Sequence, residues 1–124
     1  MVSRFSFSLF SSGSADIGKE GMKKIKEIAF VLSNITKKIP ANIEWLIQVE
    51  GHTDDLPISN NKYPSNWELS TSRAISVAKI MMKNGIKANR ITVAGYGEFR
   101  PLVENSSNNN RQKNRRIELK LTQP

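Results

Sequence analysis

Ile43-Glu44-Trp45-Leu46-Ile47-Gln48-Val49-Glu50-Gly51-His52-Thr53-Asp54-Asp55 is the stretch whose reading decides the fold. Ile43, Trp45, Ile47 and Val49 alternate with Glu44, Leu46, Gln48 and Glu50, the two-residue period of a strand, and Gly51 stops it. The strand empties into a polar loop, Gly51 to Pro64, that carries two prolines and begins with one histidine and two adjacent acids. Upstream, Met22, Ile25, Ala29, Leu32, Ile35 and Ile39 recur at intervals of three and four. They predict a helix between Ser14 and Pro40 with Lys19, Lys23, Lys26 and Glu27 on its polar face, and proline ends it. Before it, Phe5 to Phe10 alternates as a first, half-buried strand.

Downstream, Ser65-Asn66-Trp67-Glu68 opens a second helix as a capping box: the serine oxygen serves the third amide and the glutamate reaches back. The helix is expected to run to Asn84, with Gly85 as its stop. Ile91 to Ala94 reads as a third strand and Arg116 to Leu121 as a fourth. Asn105 to Asn110 reads as a loop leading into one helical turn before Arg115. Strands interleaved with helices predict an α/β (α+β) two-layer sandwich, with helices covering one face of a small sheet.

The whole chain, 124 residues and 14.0 kDa, is the size of a single domain spanning 1–124. A hydrophobic fraction of 38% with 24% charged residues is globular, and no apolar run approaches the ~18 residues that a bilayer crossing requires. Cysteine is absent, which excludes disulfides, thiolate metal sites and cysteine nucleophiles. The net charge of +8 and pI near 10.0 imply attraction to a polyanion: nucleic acid, an acidic membrane surface or an acidic wall polymer. Met1-Val2-Ser3-Arg4 runs straight into the first strand without a leader pattern, so an exported protein would be represented here by its mature portion.

On a wheel of ~100° per residue, Leu69, Arg73, Val77 and Ile80 share one quadrant of the second helix with Asn66. Arg73 therefore points where the core lies. A guanidinium keeps its proton, and an unpaired buried one is costly, so it must meet a carboxylate or reach a pocket floor. Asp54, on the loop just beyond the strand end where layered α/β folds hold ligands, is the nearest acid. Two readings stay open on these residues: a structural brace between Asp54 and Arg73, or a two-pole site for a zwitterion.

The remaining features are weaker. His52 is the single histidine and cannot by itself make a transition-metal site; its expected role is to pack the loop. No nucleophile with an orienting base is recognisable at motif spacing, so neither catalysis, a metal nor a cofactor is expected. The basic run Arg111, Lys113, Arg115 and Arg116 lacks the exposed aromatics of a nucleic-acid module, and a nucleic-acid partner is not expected. Gly95-Tyr96-Gly97 is too short for a phosphate cradle, and Trp67 is expected to pack against the loop.

Val49-Glu50-Gly51-His52-Thr53-Asp54, Leu69-Ser70-Thr71-Ser72-Arg73-Ala74, Gly85-Ile86, Gly95-Tyr96-Gly97-Glu98, Pro101, Asn105 and Arg111 to Glu118 together resemble the OmpA-like peptidoglycan-binding domain. The order and spacing hold over almost the whole chain. Asp54 to Ile58, Tyr63 to Ser70 and Leu9 to Ala15 look most like the MotB-type branch of that family, the subunits of flagellar stators. The resemblance implies a βαβαβ(α)β fold with a mixed four-stranded sheet, and non-catalytic recognition of the diaminopimelate residue of the stem peptide. It implies that Asp54 takes the ligand's amino group and Arg73 its carboxylate, and that Asn66, Thr53 and Leu69 line the same pocket. Arg115 and Arg116 match paired arginines beside the loop, one of which orders it through carboxylates and carbonyls.

The resemblance further implies a periplasmic domain of an inner-membrane-anchored protein, a homodimer, and a membrane-embedded stator partner reached through an N-terminal segment outside this chain. An outer-membrane protein or lipoprotein anchor using the same pocket is the alternative within the family.

Overall fold

The structure, a computed structural model, describes residues 3–8, 10 and 13–122. The elements run β1 (Ser3–Phe7), α1 (Lys19–Thr36), β2 (Leu46–Gly51), α2 (Asn66–Lys83), a 3-10 turn (Ala88–Arg90), β3 (Ile91–Gly95), α3 (Asn108–Asn114) and β4 (Ile117–Thr122). The strands form one sheet in the order β1-β4-β2-β3. β2 and β3 are parallel, which requires the long crossover that α2 supplies, while β4 is antiparallel to both of its neighbours. This is the expected mixed four-stranded sheet.

Alternation divides the sheet. Ile47 and Val49 of β2 and Ile117 and Leu119 of β4 are buried and join Ile25, Ala29 and Leu32 of α1 and Ala74, Val77 and Met81 of α2 in one core. Each of the larger of these side chains, withdrawn from water, contributes roughly 1.5–3 kcal/mol. Gln48, Glu50 and Glu118 project from the opposite face.

Several boundaries differ from those read in the sequence. β1 ends at Phe7, although Phe10 is also buried, and Leu9, Ser11 and Ser12 lie outside the described residues. β2 begins only at Leu46, so Ile43 and Trp45 precede the ladder. α1 ends at Thr36, four residues before Pro40, and its buried stripe is Gly21, Ile25, Ala29, Leu32 and Thr36. Met22 and Ile35, expected in the core, are exposed because the stripe is narrower than the apolar pattern. The single helical turn expected before Arg115 is a seven-residue helix, α3, capped by Ser107 Oγ, which accepts from the Asn110 amide.

At the start of α2, Ser65 Oγ accepts from the amide of Trp67, one residue earlier than a capping box predicts, and donates to the Glu68 carboxylate. The Ser65 hydroxyl, donating to it, holds the Glu68 carboxyl below its ordinary range. One close approach seats this helix. A Cβ on Gly51 would lie 2.0 Å from the Ser70 carbonyl oxygen, so only glycine lets the α2 backbone rest on the end of β2. Arg73, nearly one turn further along α2, is thereby placed over the loop that leaves that strand.

Candidate functional site

Arg73 is fully buried, as its place on the helix wheel requires. Its Nε donates to the Ser14 carbonyl at 2.7 Å and its Nη1 to the His52 carbonyl at 3.4 Å. The guanidinium carbon stands 4.9 Å from the centre of the Phe10 ring. Burial pushes the Arg73 pKa down to about 10, opposed by the charge of Asp54, so the group is cationic at neutral pH. Backbone oxygens and an aromatic face orient this cation.

Asp54 is also buried. Its Oδ1 accepts from the Leu56 amide at 3.1 Å, and its Oδ2 from Arg115 Nη1 at 2.7 Å. Its neighbour Asp55 accepts from Arg111 Nε at 2.9 Å. Arg111 and Arg115 stand one turn apart on α3 and its cap, and that spacing lets two arginines hold two consecutive acids. Among the four basic residues of this run, these two are therefore engaged with the loop and are not a solvated face.

Asp54 and Arg73 line one cavity of about 60 Å³ with Thr53, Asn66, Leu69, Gly13, Leu56, Pro57 and Ile58. Five of the residues singled out in the sequence thus converge, from the loop after β2 and from α2. Asn66 Nδ2 donates to the Leu56 carbonyl at 3.1 Å and to Glu98 Oε1 at 3.3 Å, which ties α2 to the loop and to the turn after β3. The volume suits an ionic end group or a few water molecules, with a carboxylate at one pole and a guanidinium at the other.

Arg115 and Arg116 are not brought together. Arg115 reaches the loop through Asp54, whereas Arg116, entering β4, turns to the other side of the sheet. There its Nε meets Glu118 Oε2 at 2.6 Å and its Nη2 donates to the Arg100 carbonyl at 3.0 Å. Successive residues of an extended segment project to opposite faces, which accounts for the division. His52 lies on that second side, buried, stacked on Tyr96 at 5.1 Å, with Nε2 3.7 Å from Glu118 and 3.9 Å from Glu50. Burial, reinforced by the charge of Arg116, lowers its pKa to about 4, so the imidazole is neutral. Among the described residues no cluster of three metal-ligating side chains is present.

Four contributors were not singled out as site residues. Ser14 and Gly13, from the segment between β1 and α1, supply an acceptor for Arg73 and one wall of the cavity, and Ile58 supplies another. Asn114, fully buried, accepts from the amides of Leu102 and Val103 through Oδ1 and donates to the Val103 carbonyl and to Asn105 Oδ1. The Leu9 to Ala15 and Arg111 to Glu118 runs held the signal for Gly13, Ser14 and Asn114, but no periodicity assigns them roles.

The sequence profile of the OmpA family matches residues 9–115. Motility protein B of Bacillus subtilis (strain 168) is 38% identical over 111 residues, which cover 89% of this chain and 40% of the relative. The periplasmic domain of Helicobacter pylori MotB has the same fold with a TM-score of 0.84 at 29% identity, over 98% of this chain and 76% of that one. The cell wall anchor of the type VI secretion system from Pseudomonas aeruginosa gives a TM-score of 0.82 at 31% identity, over 99% and 82%. The chain spans about two fifths of the length of the curated relatives it matches.

Proposed function

The chain belongs to the OmpA family, and from that premise we propose that it is a peptidoglycan-binding anchor of the periplasm that grips the diaminopimelate residue of the stem peptide without catalysis. The observation that carries this reading is the convergence of Asp54, Arg73, Asn66, Thr53 and Leu69 on one cavity with a negative and a positive pole. The free end of diaminopimelate is a zwitterion: an ammonium matched to the Asp54 carboxylate and a carboxylate matched to the Arg73 guanidinium. Arg115 acts behind Asp54 by orienting its carboxylate, and we assign Arg116 a scaffolding role on the far side of the sheet.

Similarity to Motility protein B favours the flagellar stator as the complex so anchored. In that arrangement the domain works as a homodimer and joins membrane-embedded stator subunits through an N-terminal segment. Among the described residues no helix is long and apolar enough to cross a membrane. Similarity to a cell wall anchor of a secretion system supports the grip itself independently of the machine that it serves.

The test is co-sedimentation with purified peptidoglycan, together with calorimetric titration of a diaminopimelate-containing stem peptide. Asp54→Asn and Arg73→Lys, both close in shape to the native residues, are expected to lose binding at least tenfold. Unchanged binding by both variants, folded by circular dichroism, refutes the pocket. Tight salt-sensitive binding to nucleic acid with none to peptidoglycan refutes the function.

A further inference from the structure

Trp67 and Phe99 form a stacked pair on the surface, with ring centres 5.0 Å apart and planes at 26°. They are 50% and 61% exposed. Tyr96 and Trp45 each have a guanidinium over the ring at 4.8 Å, from Arg100 and Arg90 respectively. The pair is also held in place. Gly97 has φ +61, and a Cβ there would meet the Phe99 ring at 3.3 Å and the Asn66 backbone at 3.7 Å, so this turn lays the ring against the start of α2.

Each ring is one residue along the chain from a residue of the cavity wall or from one hydrogen-bonded to it. Asn66 lines the cavity, Trp67 is the next residue of α2, and the Glu98 carboxylate that accepts from Asn66 adjoins Phe99. The cavity, at about 60 Å³, has room for an ionic end group and none for a sugar ring. Whatever carries the gripped end therefore passes over the rim.

We propose that Trp67 and Phe99 are a stacking platform for a pyranose ring of the glycan strand whose stem peptide enters the cavity. A pyranose presents axial C–H groups on one face and hydroxyls at its edge. The exposed rings match the face, and the Glu98 carboxylate next to Phe99 matches the edge. A second copy of the chain is a poorer occupant: half of two aromatic side chains amounts to on the order of 200 Å², against roughly 800 Å² per partner in a stable interface.

This inference rests on the peptide-binding reading above, and the experiment separates the two. The free stem peptide, and the same peptide on its N-acetylglucosamine–N-acetylmuramic acid disaccharide, are titrated into the native chain, Trp67→Leu and Phe99→Ala. The native chain is expected to bind the disaccharide-bearing probe about tenfold more tightly than the free peptide, and each variant to lose that gain while keeping its affinity for the free peptide. Circular dichroism checks that both variants are folded; since the rings are exposed, either alone suffices. Equal affinity of the native chain for the two probes overturns the platform and leaves the peptide site standing. Binding of neither probe overturns both. Concentration-dependent dimerisation abolished by Trp67→Leu, with no change in the disaccharide gain, assigns the pair to a second copy and overturns the platform.

Discussion

Arg115 Nη1 lies 2.7 Å from Asp54 Oδ2, with both side chains largely withdrawn from solvent. The bond joins the cap of α3 to the loop after β2, two segments 61 residues apart. It holds the carboxylate by one oxygen while the Leu56 amide holds the other, and each oxygen keeps a lone pair for a further donor. Asp54 is thus pre-oriented before anything binds, which lowers the entropic cost of any contact it makes with a ligand.

Arg115→Gln is expected to weaken peptide binding about tenfold and to destabilise the domain by about 2–3 kcal/mol, because a buried carboxylate is left without its cation. Calorimetric titration and thermal unfolding measure the two effects separately. Wild-type affinity in a folded Arg115→Gln protein rules out the orienting role.

Arg73→Lys preserves charge but cannot donate along both Nε and Nη1 to the Ser14 and His52 carbonyls. Binding is expected to be lost while most of the fold survives. Arg73→Ala, by contrast, opens the core and leaves the Ser14 and His52 carbonyls short of a donor, and is expected to cost about 3–5 kcal/mol. Chemical denaturation of the two variants distinguishes ligand contact from brace: equal destabilisation by both is the signature of a brace alone.

Asn114→Ala removes four hydrogen bonds inside a fully buried site and frees the 102–105 segment. The expected loss is about 2–4 kcal/mol, read as a lower urea midpoint with an unchanged slope. A midpoint within error of wild type would show that water replaces the amide at no cost.

The pH dependence has a definite sign. His52 titrates near 6.5 unfolded and at about 4 folded, so between those values the unfolded chain binds a proton that the native one refuses. Stability is therefore highest above pH 6.5 and falls progressively toward pH 4, by up to about 3 kcal/mol from this group. Burial pushes the Glu118 carboxyl up, but the hydrogen bond and charge of Arg116, with the smaller charges of His52 and Arg4, outweigh it and hold the group below its usual range. Glu118 therefore adds a further loss below about pH 4.5. His52→Phe should flatten the curve between pH 6.5 and 4 and leave the lower limb intact. An unchanged slope across that window in the variant would remove His52 as its source.

Much of the architecture was legible because it is periodic. The alternation around Ile47 and Val49, the capping serine at Ser65 and the 3.6-residue spacing around Leu69 and Val77 each report a local preference that tertiary packing reinforces. Where the prediction failed, global competition had overridden local pattern. Met22 and Ile35 satisfy the helical spacing of α1, yet the sheet offers only enough surface to cover Ile25, Ala29 and Leu32. α3 is built from asparagines of poor helix propensity, and arginine pairs to Asp54 and Asp55 reward it from outside.

The sequence by itself determined that an arginine would be buried on the core face of α2, since a helix wheel and the irreversible charge of a guanidinium require nothing more. It also determined that the loop after β2 would bring an acid to the end of a strand. Only the tertiary structure decided which cation that acid meets. Arg115 and Arg116 are adjacent and chemically identical, and the direction of the chain as it enters β4 sends one to Asp54 and the other to Glu118. Ion pairing depends on separation in space, which sequence separation leaves undetermined until the sheet order β1-β4-β2-β3 brings the end of β2 beside the start of β4.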